Sequence, residues 1–123
     1  MLALRVRLLA GTLVLHGCAA VSTVGGERLK LTSPEFPAYV ERVFRDQNRV
    51  ADEIAFALDA VPPRAGLAAA EQALIEACAL VNELATARRD QRRLGLRRST
   101  AGARSVPACE RATQEAAALL AGP

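Results

Sequence analysis

Apolar positions recur at helical spacing over three stretches of the chain. Downstream of Ser33, residues Phe36, Val40, Val43, Val50, Ala51, Ile54, Leu58 and Val61 share one face at 100° per residue. Glu41, Arg42, Arg45, Asp46, Asn48, Arg49, Asp52, Glu53 and Asp59 take the other. Ser33-Pro34-Glu35 reads as a start signal, with serine as N-cap, proline in the first turn and an acid at the positive end of the helix dipole. Pro62-Pro63 is the stop, so the pattern predicts a helix over about 34–60. Two residues break it. Gln47 lies within the apolar stripe and reads as a partly exposed or internally satisfied amide, the alternative being a partner contact. Phe56 lies on the charged face and reads as a lone surface apolar residue or a further packing contact, with a partner site as its alternative.

The second stretch carries Leu67, Ala70, Leu74, Ala77, Cys78, Val81, Leu84 and Ala85 on one face of an Ala-, Leu- and Glu-rich segment. It predicts a helix over about 67–93, with Gly95 as a stop. Arg88 and Arg92 come next on that face, so the helix either projects beyond its neighbours or ends early. Residues 95–106, with Gly95, Ser99, Thr100, Gly102 and Ser105, read as a loop. Pro107 suits the first turn of a third helix to about 120, whose face is Cys109, Ala112, Ala116, Leu119 and Leu120. The expectation for residues 34–123 is an all-α domain, a small three-helix bundle. Residues 28–32 alternate, but over too few positions to define a strand.

The N-terminal residues follow another pattern. Arg5 and Arg7 precede an uncharged run from Leu8 to Leu15, and Leu15-His16-Gly17-Cys18 closes it. Eight uncharged residues are too few for a bilayer core of ~30 Å, so this is the pattern of a secretory signal peptide. Its Leu-x-Gly-Cys ending resembles the lipobox of bacterial lipoproteins, although His16 stands where a small or uncharged residue is usual. The resemblance covers about residues 1–19. It implies that residues 1–17 are removed and that Cys18 becomes the first mature residue and carries a covalent lipid. Ala19, rather than Asp, after the cysteine implies the outer membrane, facing the periplasm. The alternatives are plain secretion with cleavage near Cys18-Ala19-Ala20 and an uncleaved anchor. Residues 18–33, small and glycine-containing around Val21–Gly26, then read as a short flexible tether.

Charge is informative once the leader is set aside. The whole chain has 16 basic and 13 acidic residues. Arg5 and Arg7 leave with the leader, so the 106 remaining residues carry 14 basic and 13 acidic ones. That balance argues against a globally basic, nucleic-acid-binding protein. The distribution is uneven. Residues 27–83 carry ten acids and six bases, whereas residues 88–104 carry Arg88, Arg89, Arg92, Arg93, Arg97, Arg98 and Arg104 against Asp90 alone. Such a run suits phosphates or carboxylates, as in lipopolysaccharide, phospholipid, peptidoglycan or an acidic envelope protein. It equally suits a solvated run that keeps a helix end and loop soluble. No aromatic residue accompanies it, which argues against stacking on nucleic acid.

The only histidine, His16, lies in the leader, and there is no tryptophan. The mature chain therefore has no Ser-His-Asp or Cys-His arrangement and no histidine-bearing zinc site. Its acids fall on outward helix faces, no cleft is implied, and neither a cofactor nor an enzymatic activity is expected. After export, Cys78 and Cys109 lie on facing helix stripes in an oxidising compartment and are expected to form a structural disulfide. The alternative, a redox pair, lacks a Cys-x-x-Cys motif. The sequence thus suggests a non-enzymatic, membrane-tethered helical scaffold or adaptor of the cell envelope. An anion-binding module using residues 88–104 is the alternative.

Overall fold

The computed structural model describes residues 19–123. Cys18 and the leader lie outside the described residues. The chain forms a two-stranded hairpin, β1 (Ala20–Ser22) and β2 (Arg28–Lys30), followed by helices α1 (Glu35–Leu58), α2 (Leu67–Arg89) and α3 (Leu96–Ala121). The three helices make a small all-α bundle, stapled by one disulfide.

The hairpin replaces the flexible tether expected before residue 33. Its strands are antiparallel, with Ala20 opposite Lys30, Val21 opposite Leu29 and Ser22 opposite Arg28. Alternation sends Val21 and Leu29 into the core and leaves Arg28 and Lys30 exposed. The turn is held by the Thr23 N–H donating to the Glu27 carbonyl (2.8 Å) and the Glu27 N–H donating to Thr23 Oγ1 (3.1 Å). Gly26 sits at φ 89°, a left-handed conformation that glycine adopts without a Cβ clash. β1 packs on α3 and β2 on α1, so two short strands that are marginal alone borrow the bundle's core.

In α1 the buried residues Phe36, Tyr39, Val40, Val43, Gln47, Val50 and Ile54 follow the three-and-four stride of an amphipathic helix. Ser33 does not cap it. Pro34 is the flanking residue, the Ser33 hydroxyl is buried without a partner, and the Ser33 carbonyl accepts the Phe36 N–H at 3.2 Å. The helix ends at Leu58, since Pro62 has no N–H to donate to the Leu58 carbonyl and Val61 before it is kept out of the helical region. Val61, expected on the stripe, is instead 96% exposed.

The larger departures concern α2 and α3. α2 stops at Arg89, four residues early, and α3 begins at Leu96, eleven residues before the expected start. Pro107 lies inside α3. Proline removes one helical N–H donor there, yet packing against α2 offsets the loss. Gly102, Ala103 and Val106 are buried. A Cβ on Gly102 would stand 3.3 Å from the Leu80 carbonyl oxygen, so glycine here lets two backbones approach closely. Small residues that suggest a loop are thus the contact surface of a helix.

This arrangement resolves the cysteine geometry. Cys78 lies eleven residues before the end of α2 and Cys109 thirteen after the start of α3, or ~16 and ~20 Å at 1.5 Å per residue. Antiparallel packing sets them side by side. Their Cα atoms are 4.6 Å apart and the S–S bond is 2.09 Å, closing a separation of 31 residues deep in the core. At the far end of the bundle, Arg64 Nη1 donates to the Leu119 carbonyl (2.9 Å) and to that of Leu120, satisfying the last turn of α3.

Candidate functional site

The arginines gather where α2 hands over to α3. Arg88 and Arg89 end α2, Arg92 and Arg93 lie in residues 90–95, Arg97 and Arg98 open α3, and Arg104 follows two turns on. The reversal is tight. Gln91 adopts φ 55°, and the Arg92 N–H donates to the Ala87 carbonyl at 2.8 Å, closing the end of α2. All seven arginines are exposed. Arg98 forks both oxygens of Glu83 on α2, and that hydrogen bonding holds the Glu83 carboxyl below its usual range. Arg89 and Arg92 approach Asp90 at 3.6 and 3.9 Å. Among the described residues, Arg88, Arg93, Arg97 and Arg104 have no carboxylate partner within ion-pair distance. The acids of α1 therefore do not neutralise this end. Leu96, between Arg93 and Arg97, is 85% exposed.

Two open grooves meet at Arg88. One, of about 410 Å³, runs between α1 and α2 past Val40, Glu41, Phe44, Ala85 and Thr86. The other, of about 250 Å³, lies between Leu31, Phe36, Leu84, Ser99 and Ala103. Leu31 ties this end to the start of the described chain, because its N–H donates to the Ala19 carbonyl at 3.0 Å.

A second polar cluster lies beneath the hairpin. Glu110 on α3 is only 6% exposed, contrary to the expectation that every acid faces outward. The Val24 N–H and the Tyr39 hydroxyl donate to its Oε2 at 3.0 and 2.7 Å, and Arg42 Nη1 donates to Oε1 at 3.1 Å. Arg42 also stacks over the Tyr39 ring, 5.3 Å from its centroid. Burial pushes the Glu110 carboxyl up, but these three donors together outweigh it and hold the group below its usual range. Burial, and then the bond to Glu110, keep the Tyr39 hydroxyl protonated above its usual range. One carboxylate thus joins hairpin, α1 and α3. The sequence signal was the register Ala103, Val106, Glu110, Thr113, which shows only when the helix is begun before Pro107.

The remaining candidates separate. Cys78 and Cys109 are bridged and buried. Gln47 is buried, and its Nε2 donates to Asn82 Oδ1 on α2 at 2.6 Å, an internally satisfied amide. Phe56 is 83% exposed near the opposite end of α1. Cys18 lies outside the described residues. Among the described residues no helix is long and apolar enough to cross a membrane. Comparison with protein-family models, with curated proteins and with solved structures finds no match to this chain.

Proposed function

We propose that this protein is a non-enzymatic lipoprotein of the cell envelope, a helical scaffold or adaptor module tethered through a lipid on Cys18 to the outer membrane, facing the periplasm. The observation that carries this reading is Leu15-His16-Gly17-Cys18 at the end of a basic, then apolar, leader. The buried Cys78–Cys109 bridge supports it, since such bonds persist in oxidising compartments. The intact mass of membrane-extracted protein, before and after reduction, is the test. A chain starting at Cys18 with added acyl mass is expected, gaining two hydrogens on reduction. A chain that starts elsewhere and carries no lipid overturns the reading.

A second reading, an anion-binding module, is favoured by Arg88, Arg93 and Arg97 around the α2–α3 turn and Arg104 two turns into α3, which among the described residues have no carboxylate partner. Salt-dependent retention on an anionic surface, absent on a neutral one, is its signature.

A further inference from the structure

We infer that the α2–α3 turn is a membrane-docking tip, which seats the bundle on the anionic phospholipid surface holding its anchor, with Leu96 entering the headgroup layer among the arginines. The inference takes its geometry from the lipid-anchored reading above and adds a partner and an orientation.

Three observations converge. The first is charge without partners. Arg88, Arg93 and Arg97 lack carboxylates among the described residues, while Arg98 is committed to Glu83. Glu35 and Glu41 lie at the same end of α1 but pair with none of these arginines. Arginine retains its charge and forks onto phosphate oxygens. The second is Leu96. A leucine 85% exposed as the first residue of α3, flanked in sequence by Arg92 and Arg93 on one side and Arg97 and Arg98 on the other, contributes nothing to the core. It matches a bilayer edge, where phosphates lie above hydrocarbon. A hydrophilic carboxylate polymer such as peptidoglycan would satisfy the arginines but not the leucine, which favours a lipid surface.

The third is placement. Ala19, the first described residue, follows Cys18 directly in the chain. The Ala19 carbonyl accepts the Leu31 N–H, and Leu31 lines a groove with Arg88 and Ser99 at the arginine end. Lys30, opposite Ala20, and Arg28 extend the basic surface onto the hairpin. A lipid on Cys18 therefore enters the bilayer beside the arginine turn, and Asp59 and Phe56 lie toward the other end of the bundle. Anchor and basic tip act on one surface, and holding one there raises the effective concentration of the other.

The chain contains no tryptophan, so Leu96→Trp creates a single emitter at an exposed position. Full-length L96W is mixed with phosphatidylglycerol–phosphatidylcholine vesicles and with pure phosphatidylcholine vesicles. Emission is expected to shift to the blue, and to be quenched by brominated lipid, on the phosphatidylglycerol vesicles alone. High salt should reverse the shift. Adding Arg93→Ser and Arg97→Ser should weaken the vesicle midpoint roughly twentyfold, since each surface arginine is worth about fivefold. Phe56→Trp, toward the opposite end, should not respond. Equal helicity by circular dichroism and an intact Cys78–Cys109 bridge in an unreduced peptide digest show that each variant is folded.

The inference is overturned if L96W shows no shift on phosphatidylglycerol, shifts equally on phosphatidylcholine, or ignores the two arginine changes. A shift on purified sacculi or lipid A vesicles, without one on phosphatidylglycerol, also overturns it. The intact mass of the same sample separates the two readings. A lipidated chain without the shift removes the docking tip and keeps the anchor. An unlipidated chain that still shifts removes the anchor and keeps the tip.

Discussion

The Tyr39 hydroxyl donates to Glu110 Oε2 at 2.7 Å, joining positions 71 residues apart in the chain. The same oxygen accepts the Val24 N–H, so a bond between α1 and α3 also fastens the hairpin.

Removing that carboxylate should loosen the hairpin before it unfolds the bundle. Glu110→Ala leaves the Tyr39 hydroxyl and the Val24 N–H without their acceptor, at a cost of about 2 kcal/mol after discounting half-exposed Arg42 for solvent screening. A fall in Tm of ~8 °C or more should follow. Hydrogen exchange should accelerate at the Val24 amide by far more than at Val81 in the core. Unchanged exchange at Val24 would show that Glu110 does not hold the hairpin.

The same cluster sets both ends of the pH profile. The folded Glu110 carboxyl titrates below its usual value of 4.5, so its stabilisation is complete above about that pH and is lost as pH falls through the lower, folded value. Tyr39 has the opposite sign. Its hydroxyl stays protonated above its usual 10.0, so its stabilisation is complete below that pH and is lost as pH rises beyond it. Melting temperature measured against pH should show a shallower acid limb in Glu110→Gln and a shallower alkaline limb in Tyr39→Phe.

The Cys78–Cys109 bridge should be the largest single contribution to stability. A closed segment of 31 residues corresponds to ~3–4 kcal/mol by loop entropy. Cys78→Ser with Cys109→Ser, or reduction, should therefore lower Tm by ~15 °C or more. Thiol counting on denatured, unreduced protein should find neither cysteine free; two free thiols would remove this account.

Gln47 and Asn82 should behave as a pair. Gln47→Ala deprives Asn82 of its 2.6 Å donor and leaves a gap between α1 and α2, for about 2 kcal/mol. The double change, Gln47→Leu with Asn82→Leu, should recover most of that loss. A double-mutant cycle with additive effects would show that the two amides are not coupled.

The helix-rich architecture and the bridge were legible because Val43, Val50, Ile54, Leu74, Cys78 and Val81 repeat at helical spacing with polar residues between them. The early start of α3 was not. Ser99, Thr100, Gly102 and Ser105 have local preferences for loops, and only α2 packing against Gly102 and Ala103 reverses that preference. Beginning α3 too late also hid Glu110, whose place beside Val106 and Thr113 emerges only from the longer register. The hairpin escaped because three-residue strands carry almost no periodicity, although Gly25-Gly26 between Val21 and Leu29 was a turn signal. Of the candidate site, the arginines were legible as a run. Their pairing was not, because it depends on Glu83 standing fifteen residues from Arg98 across a helix reversal.

The hairpin also determines how the bundle would respond to tension. Ala19 and Leu31 occupy its open end, so a pull on Ala19 away from α1 strains the ladder one bond at a time, as in a zipper. Glu110 grips Val24 near the closed end and is the last fastening before force reaches the helices. Peeling residues 19–31 would release ~40 Å of chain at ~3.3 Å per residue while the Cys78–Cys109 bridge still holds α2 to α3. The N-terminal segment would thus be short while its ladder is closed and long under load.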